Sequence, residues 1–208
     1  MSKLLLATNN QGKLVEIQAL LKDLNLNASL VTPEQIGLHL KVEEDGDTYA
    51  ANAARKAVAF AQASGLLTLA DDSGLEVDAL GGLPGIRSAR FSPKPGATDA
   101  DRRAYLLKRL QGQPRPWSAR FHCTVALFYP DGGTEEGKIH YAEGICPGEI
   151  IPEERGQNGF GYDPVFLLPE LGRTMAELPM VEKNRISHRA RAIRAATPIL
   201  LEFLTNLQ

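Results

Sequence analysis

The chain opens on a short apolar run, Leu4-Leu5-Leu6-Ala7, which breaks into Thr8-Asn9-Asn10-Gln11-Gly12-Lys13 and then changes period. Leu14, Ile17, Leu21 and Leu24 recur at helical spacing, and the same pattern turns Glu16, Gln18, Lys22 and Asp23 outward. A strand, a polar turn and a helix are therefore predicted. Residues 29–32 predict a second strand closed by Pro33. Tyr49, Ala53, Ala57 and Phe60 predict a helix capped by Asp47 or Thr48, with Gly65 at its C′ position. The next apolar run, Leu66-Leu67-Thr68-Leu69-Ala70, reads as a strand whose C-terminal end delivers Asp71-Asp72-Ser73-Gly74. Residues 75–80 continue with period-two alternation, and residues 81–86 form a loop.

Thr98 is placed to cap a helix reaching Leu110, with Asp101 completing an approximate capping box. Residues 120–129 and 136–146 predict two long strands around a hairpin turn at 130–133, and residues 165–168 a short strand. Helical pattern resumes at Ser187, where Pro198 either kinks the helix or stops it. The order βαβαβ followed by a hairpin predicts an α/β class: one domain over residues 1–208, a mixed twisted sheet flanked by helices, arranged in two lobes.

Composition narrows the function classes. At 43% hydrophobic and 23% charged the chain is ordinary for a globular protein, and its net charge of −2 argues against a dedicated nucleic-acid binder. No apolar run approaches the roughly 20 residues that span a bilayer, and the N-terminus turns polar too early for a signal-peptide core. A cytoplasmic protein is expected. The two cysteines have no partner at zinc-finger spacing, and His122-Cys123 reads as part of a buried strand.

Two adjacent carboxylates at a strand tip repel unless a cation joins them, and oxygen ligands favour Mg²⁺; the plainer alternative is that Asp71 or Asp72 caps the next element. The turn before Lys13 offers free N–H groups, the positive end of a helix dipole and a full charge to an anion. It is not a Walker A loop, because Leu14 stands where Ser or Thr should follow the lysine. Here the alternative is an N-cap by Asn9 or Asn10 with Lys13 solvated. Glu43 and Glu44 add to the acidic group. Lys183, His188 and Arg189 form a basic one. It is either a solvated face of the C-terminal helix or a set facing a bound anion, since Ser187, His188 and Arg189 stand at a helix start, where cations are unfavourable. Metal, carboxylates and cations together suit a polyphosphate ligand. Gly159-Phe160-Gly161-Tyr162-Asp163 adds rings able to stack on a base, or to fill a core.

Taken in order, Thr8-Asn9-Asn10-Gln11-Gly12-Lys13, Ala70-Asp71-Asp72-Ser73-Gly74, Gly159-Phe160-Gly161-Tyr162-Asp163-Pro164 and Ser187-His188-Arg189 resemble the inosine triphosphate pyrophosphatase family, the non-canonical purine NTP pyrophosphatases or XTP/dITP diphosphatases. The resemblance spans residues 8–189; asparagine at position 9, often glycine in the family, is a mild departure. It implies Mg²⁺-dependent hydrolysis of ITP, dITP and XTP to the monophosphate and pyrophosphate, by a homodimer with a nucleotide cleft. Carried over, Thr8, Asn9, Asn10, Gln11, Gly12 and Lys13 hold the triphosphate. Glu44, or its neighbour Glu43, and Asp72 serve the metal. Asp72 is also the proton acceptor, with Lys13 as its catalytic companion. Ser73 contacts substrate, and Phe160, Gly161, Tyr162, Asp163, Lys183, His188 and Arg189 line the nucleotide pocket. Arg189 or Lys183 would donate to the purine C6 carbonyl and meet the adenine amino group donor to donor. The competing classes are a non-catalytic purine-nucleotide regulator and a phosphatase with an aspartyl nucleophile. The latter is disfavoured because its Asp-x-Asp is missing after the first strand.

Overall fold

Leu4, Leu5 and Leu6 all lie in β1 (Ser2–Leu6) and all are fully buried. A strand with both faces covered reads as a continuous apolar run, as parallel sheets do. The computed structural model describes residues 2–24, 26–130 and 138–206. In it β1 pairs in parallel with β2 (Ala28–Val31) and with β3 (Leu67–Val77). The sheet continues through β4 (Trp117–Phe128) and β5 (His140–Ile150), then through antiparallel β6 (Phe166–Leu168) and β7 (Arg173–Thr174). The result is a mixed seven-stranded α/β sheet in the order β2-β1-β3-β4-β5-β6-β7.

Five α-helices accompany it among the described residues: α1 (Gln11–Lys22), α2 (Tyr49–Ser64), α3 (Asp99–Leu110), α4 (Met180–Ile186) and α5 (His188–Asn206). Their ends follow local chemistry. The Asn10 side chain accepts from the Lys13 N–H to cap α1, and Thr48 caps α2 through the Ala51 N–H. Gly65 closes α2 in the left-handed conformation that glycine adopts without a Cβ penalty. Thr98 and Asp101 form the expected capping box on α3.

Contacts group the chain into two units. One draws on the described parts of 1–72, 123–144 and 189–208, the other on 73–122 and 145–188. In the first unit, Ile17, Leu20 and Leu21 of α1 and Ile193, Ala196 and Leu200 of α5 pack with Leu4, Leu6, Leu67 and Leu69. Ala53, Ala57 and Phe60 of α2 pack with Leu5, Ala7 and Ala70, which alternate with the first set along their strands. Each buried leucine contributes roughly 1.5–3 kcal/mol. In the second unit, Leu106 and Leu110 of α3 join Leu75, Val77, Phe121, Tyr162 and Phe166.

Several expectations are corrected. β3 does not end at Asp71-Asp72 but runs on to Val77, so the two aspartates sit mid-strand. The physical reason is a change of neighbour: β1 registers with β3 only as far as Leu69, and the carboxylates lie just past the end of that parallel pairing. The alternation expected through residue 80 stops at Val77, where Asp78–Leu80 turns into a 3-10 helix, and the 81–86 loop runs into a second one at Gly85–Arg90. Pro198 does not stop the helix: α5 continues through it to Asn206, with Leu200 and Leu204 packed in the core. β4 and β5 begin and end a few residues later or earlier than their apolar pattern suggested. Of the hairpin turn, residues 131–133 lie outside the described residues.

Candidate active site

The first unit gathers a charged cluster from four elements. Lys13, in the first turn of α1, lies 3.2 Å from Asp71 Oδ2. Arg189, in the first turn of α5, donates through Nε to the same oxygen at 3.2 Å and through another nitrogen to Glu16. Lys56 of α2 donates to the Asp71 carbonyl and pairs with Glu44, each at 2.7 Å. Asn52, one turn earlier on α2, donates to Asp72 Oδ2 at 2.9 Å and accepts from the Gly46 N–H at 2.8 Å. That second bond ties the acidic segment to α2. Gly46 is required by closeness: a Cβ there would stand 2.8 Å from Asn52 Oδ1.

Electrostatics divide the two aspartates. Burial alone would raise the Asp71 carboxyl, but Lys13, Arg189 and Lys56 outweigh it and hold Asp71 well below the usual carboxylate range. Asp72 is raised: burial acts first, Lys13, Lys56 and the Asn52 hydrogen bond oppose it, and Glu44 adds repulsion. Lys56 is disfavoured by burial yet stays above the ordinary lysine value through Asp71, Glu44 and Asp72. Three cations (Lys13, Lys56, Arg189) face four carboxylates (Glu16, Glu44, Asp71, Asp72). The surplus negative charge falls on the Glu44–Asp72 side, because Asp71 and Glu16 take the other cations.

Sequence-derived candidates fare unequally. Lys13 is paired, not solvated, although Asn10 does cap the helix as the alternative required. Thr8 accepts from the Asn10 N–H at 3.2 Å, with Asn9 in the same turn, and Gln11 and Gly12 open α1. A cavity of about 600 Å³ opens beside Thr8, Asn9 and Gln11, toward His39 and Lys41, but its walls do not include the charged cluster. Glu44 turns to Lys56, whereas Glu43 is exposed. Among the described residues no group of three or more His, Cys, Asp or Glu side chains converges as a ready metal cage.

Two assignments change. Glu16 does not face outward but is buried against Arg189, since it shares a helix face with Leu20 one turn on. Arg189, expected on a purine carbonyl, is buried in the first unit against Asp71 and Glu16. The anion that a cation at a helix start requires is supplied here by the protein itself.

In the second unit the glycine-rich segment is tightly held. The Phe160 N–H donates to Asp163 Oδ2 at 2.9 Å, and Lys183 Nζ reaches the same oxygen at 2.5 Å. That ammonium also lies 5.3 Å from the centre of the Phe160 ring. Gly159 cannot be replaced without strain: its φ is +76°, and a Cβ would fall 2.0 Å from Asp163 Oδ2. Tyr162 packs in the core of this unit; its hydroxyl donates to the Ser88 carbonyl at 2.9 Å, and burial pushes its pKa up. His188 is buried with its ring stacked on Phe121, centroids 4.7 Å apart. Ser73 is a half-buried residue of β3, next in sequence after Asp72.

Asn52, Lys56, Glu16, Asp99 and Arg103 were not singled out by sequence. Lys56 and Asn52 carried a usable signal: polar residues one turn apart beside the alanine stripe of α2. Cys123 in β4 and Cys146 in β5 are both buried, as a strand reading required. No described helix is long and apolar enough to cross a membrane.

A dITP/XTP pyrophosphatase of Desulforamulus reducens is 49% identical over 199 residues, 95% of either chain. One from a Nostoc species is 45% identical over 203 residues, covering 98% of this chain and 96% of its own. A solved HAM1 protein from Coxiella burnetii superposes with a TM-score of 0.83 at 40% identity, covering 97% of this chain and all of the other. The sequence pattern of the Ham1 family matches residues 4–199, and the chain belongs to that family.

Proposed function

We propose that this protein is a nucleoside triphosphate pyrophosphohydrolase that hydrolyses dITP, ITP and XTP to the monophosphate and pyrophosphate, with residues 1–208 as one catalytic domain. The observation that carries the reading is the surplus of carboxylate at Glu44 and Asp72 beside Lys13 and Lys56. Relatives 44–49% identical that bear the name dITP/XTP pyrophosphatase support it.

A magnesium ion suits this donor set. Its ligands are oxygens, and Mg²⁺ keeps several waters and binds through one or two carboxylates plus phosphate, so no larger cage is needed. Glu44 and Asp72 would hold it, with exposed Glu43 as the lesser neighbour. When bound, the ion supplies positive charge to the phosphate oxygens. The turn from Thr8 to Gly12, with the N–H groups of the first turn of α1, binds the triphosphate. Asp72 takes the proton of the attacking water as the α–β phosphoanhydride breaks, and Lys13 neutralises charge developing on the pyrophosphate. Ser73 contacts substrate. Phe160 offers a ring face to the base, and Lys183 bonds the C6 carbonyl. His188 adds to the same group. In this reading the protein works as a cytoplasmic homodimer without nucleic acid or membrane partners.

The test is a panel of purine nucleoside triphosphates with Mg²⁺, products resolved by chromatography, with light scattering for the dimer. Pyrophosphate from dITP and XTP, with little from dATP, is the expected result. Inorganic phosphate would instead indicate an aspartyl-nucleophile phosphatase, and binding without product a regulator.

A further inference from the structure

The Gly161 backbone is gripped at both its polar atoms by α3. Its N–H donates to Asp99 Oδ2 at 2.7 Å, and its carbonyl accepts from Arg103 at 2.8 Å. Asp99 and Arg103 stand one helical turn apart, so both side chains leave the same face of α3. Each is braced in turn. Arg103 reaches Glu154 Oε2 at 2.8 Å, and Asp99 pairs with Arg102. Burial would raise the Asp99 carboxyl, but bonds from Arg102 and Gly161 and the charges of Arg102 and Arg103 keep it low.

Gly161 has a φ of +61°, and nothing lies within 4 Å of where a Cβ would stand. Its N–H shares a peptide group with the Phe160 carbonyl, which accepts from the Asp163 N–H at 3.2 Å. The Asp99 contact therefore bears on the same peptide group that carries Phe160.

We propose that Asp99 and Arg103 are positioning residues for base recognition, fixing the Gly161 backbone and with it the Phe160 ring presented to the purine. The inference rests on the function proposed above. Neither residue touches the base; both act through the backbone of the glycine-rich segment.

Steady-state dITP hydrolysis by the full chain tests it. Asp99→Ala and Arg103→Ala should each raise KM about tenfold with kcat within about twofold, the signature of lost uniform binding. Arg103→Lys, which keeps one donor, should fall between. Thr98→Ala removes the cap of α3 without touching Gly161, so it should lower Tm and leave KM unchanged. An unchanged KM in both alanine variants overturns the inference, as does an equal rise in KM for Thr98→Ala. Should Asp99→Ala fail to fold, the two Arg103 variants decide by the same criteria. Failure of the unsubstituted protein to release pyrophosphate overturns the functional reading and this inference together, which sets it apart from the other outcomes.

Discussion

The Lys13 ammonium lies 3.2 Å from the fully buried carboxylate of Asp71, which also receives Arg189. A lysine in the first turn of a helix sits against an unfavourable dipole, and Asp71 is what holds it there. Asp71 therefore braces the turn that leads into α1 by pairing with Lys13 through Oδ2. Asp71→Asn leaves Lys13, Lys56 and Arg189 short of one buried counter-charge. A loss of roughly 3–5 kcal/mol in urea unfolding is expected, the scale for breaking a buried pair from one side. A loss below about 0.5 kcal/mol, typical of surface substitutions, would show that Asp71 is not the keystone.

Asp72→Asn should behave in the opposite way. It preserves volume, and Asn52 is placed to hydrogen-bond the amide oxygen, so Tm should change little. Turnover of dITP should fall by far more than tenfold. Retention of more than about a tenth of the wild-type kcat, a barrier change under about 1.4 kcal/mol, would remove Asp72 from the role of base and metal ligand.

Arg189 and Glu16 are coupled across 173 residues of sequence and are both buried. Each single replacement, Arg189→Met or Glu16→Gln, should destabilise strongly because it strands the other charge. The double variant should be less destabilised than the sum, with a coupling of about 0.5–3 kcal/mol in a double-mutant cycle. Additive effects would mean the pair acts independently. With Arg189 so engaged, Arg189→Met should reduce kcat/KM for dITP and dATP in proportion, and a selective loss on dITP would return it to the base.

Gly159→Ala tests the second group. At φ +76° an alanine is strained, and its Cβ would displace Asp163 from the Phe160 N–H and from Lys183. The left-handed conformation alone costs roughly 1–2 kcal/mol. Tm should fall, and KM for dITP should rise more than kcat falls. A variant with wild-type KM would place base recognition elsewhere.

What the sequence by itself determined was whatever depends on neighbours in the chain. Strand β1, the caps at Asn10, Thr48 and Thr98, and Gly65 ending α2 were legible because periodicity and capping act over three or four residues. The candidate motifs were legible as residue types at turns, and resemblance supplied their order. Tertiary structure alone decided who meets whom. Glu16 read as solvent-facing because a local pattern counts apolar neighbours and cannot register a guanidinium arriving from α5. Arg189 was assigned to the nucleotide by resemblance, and nothing in its local sequence marks its partners Asp71 and Glu16, which come from β3 and α1. Lys56 gained meaning only when α2 set it beside the Asp71 carbonyl and Glu44. The strand tip expected at Asp72 proved to be the point where β1 stops and β3 goes on. A strand's true end is set by its partners, and charges desolvated at such a place pair with whatever the packing of distant elements brings within reach.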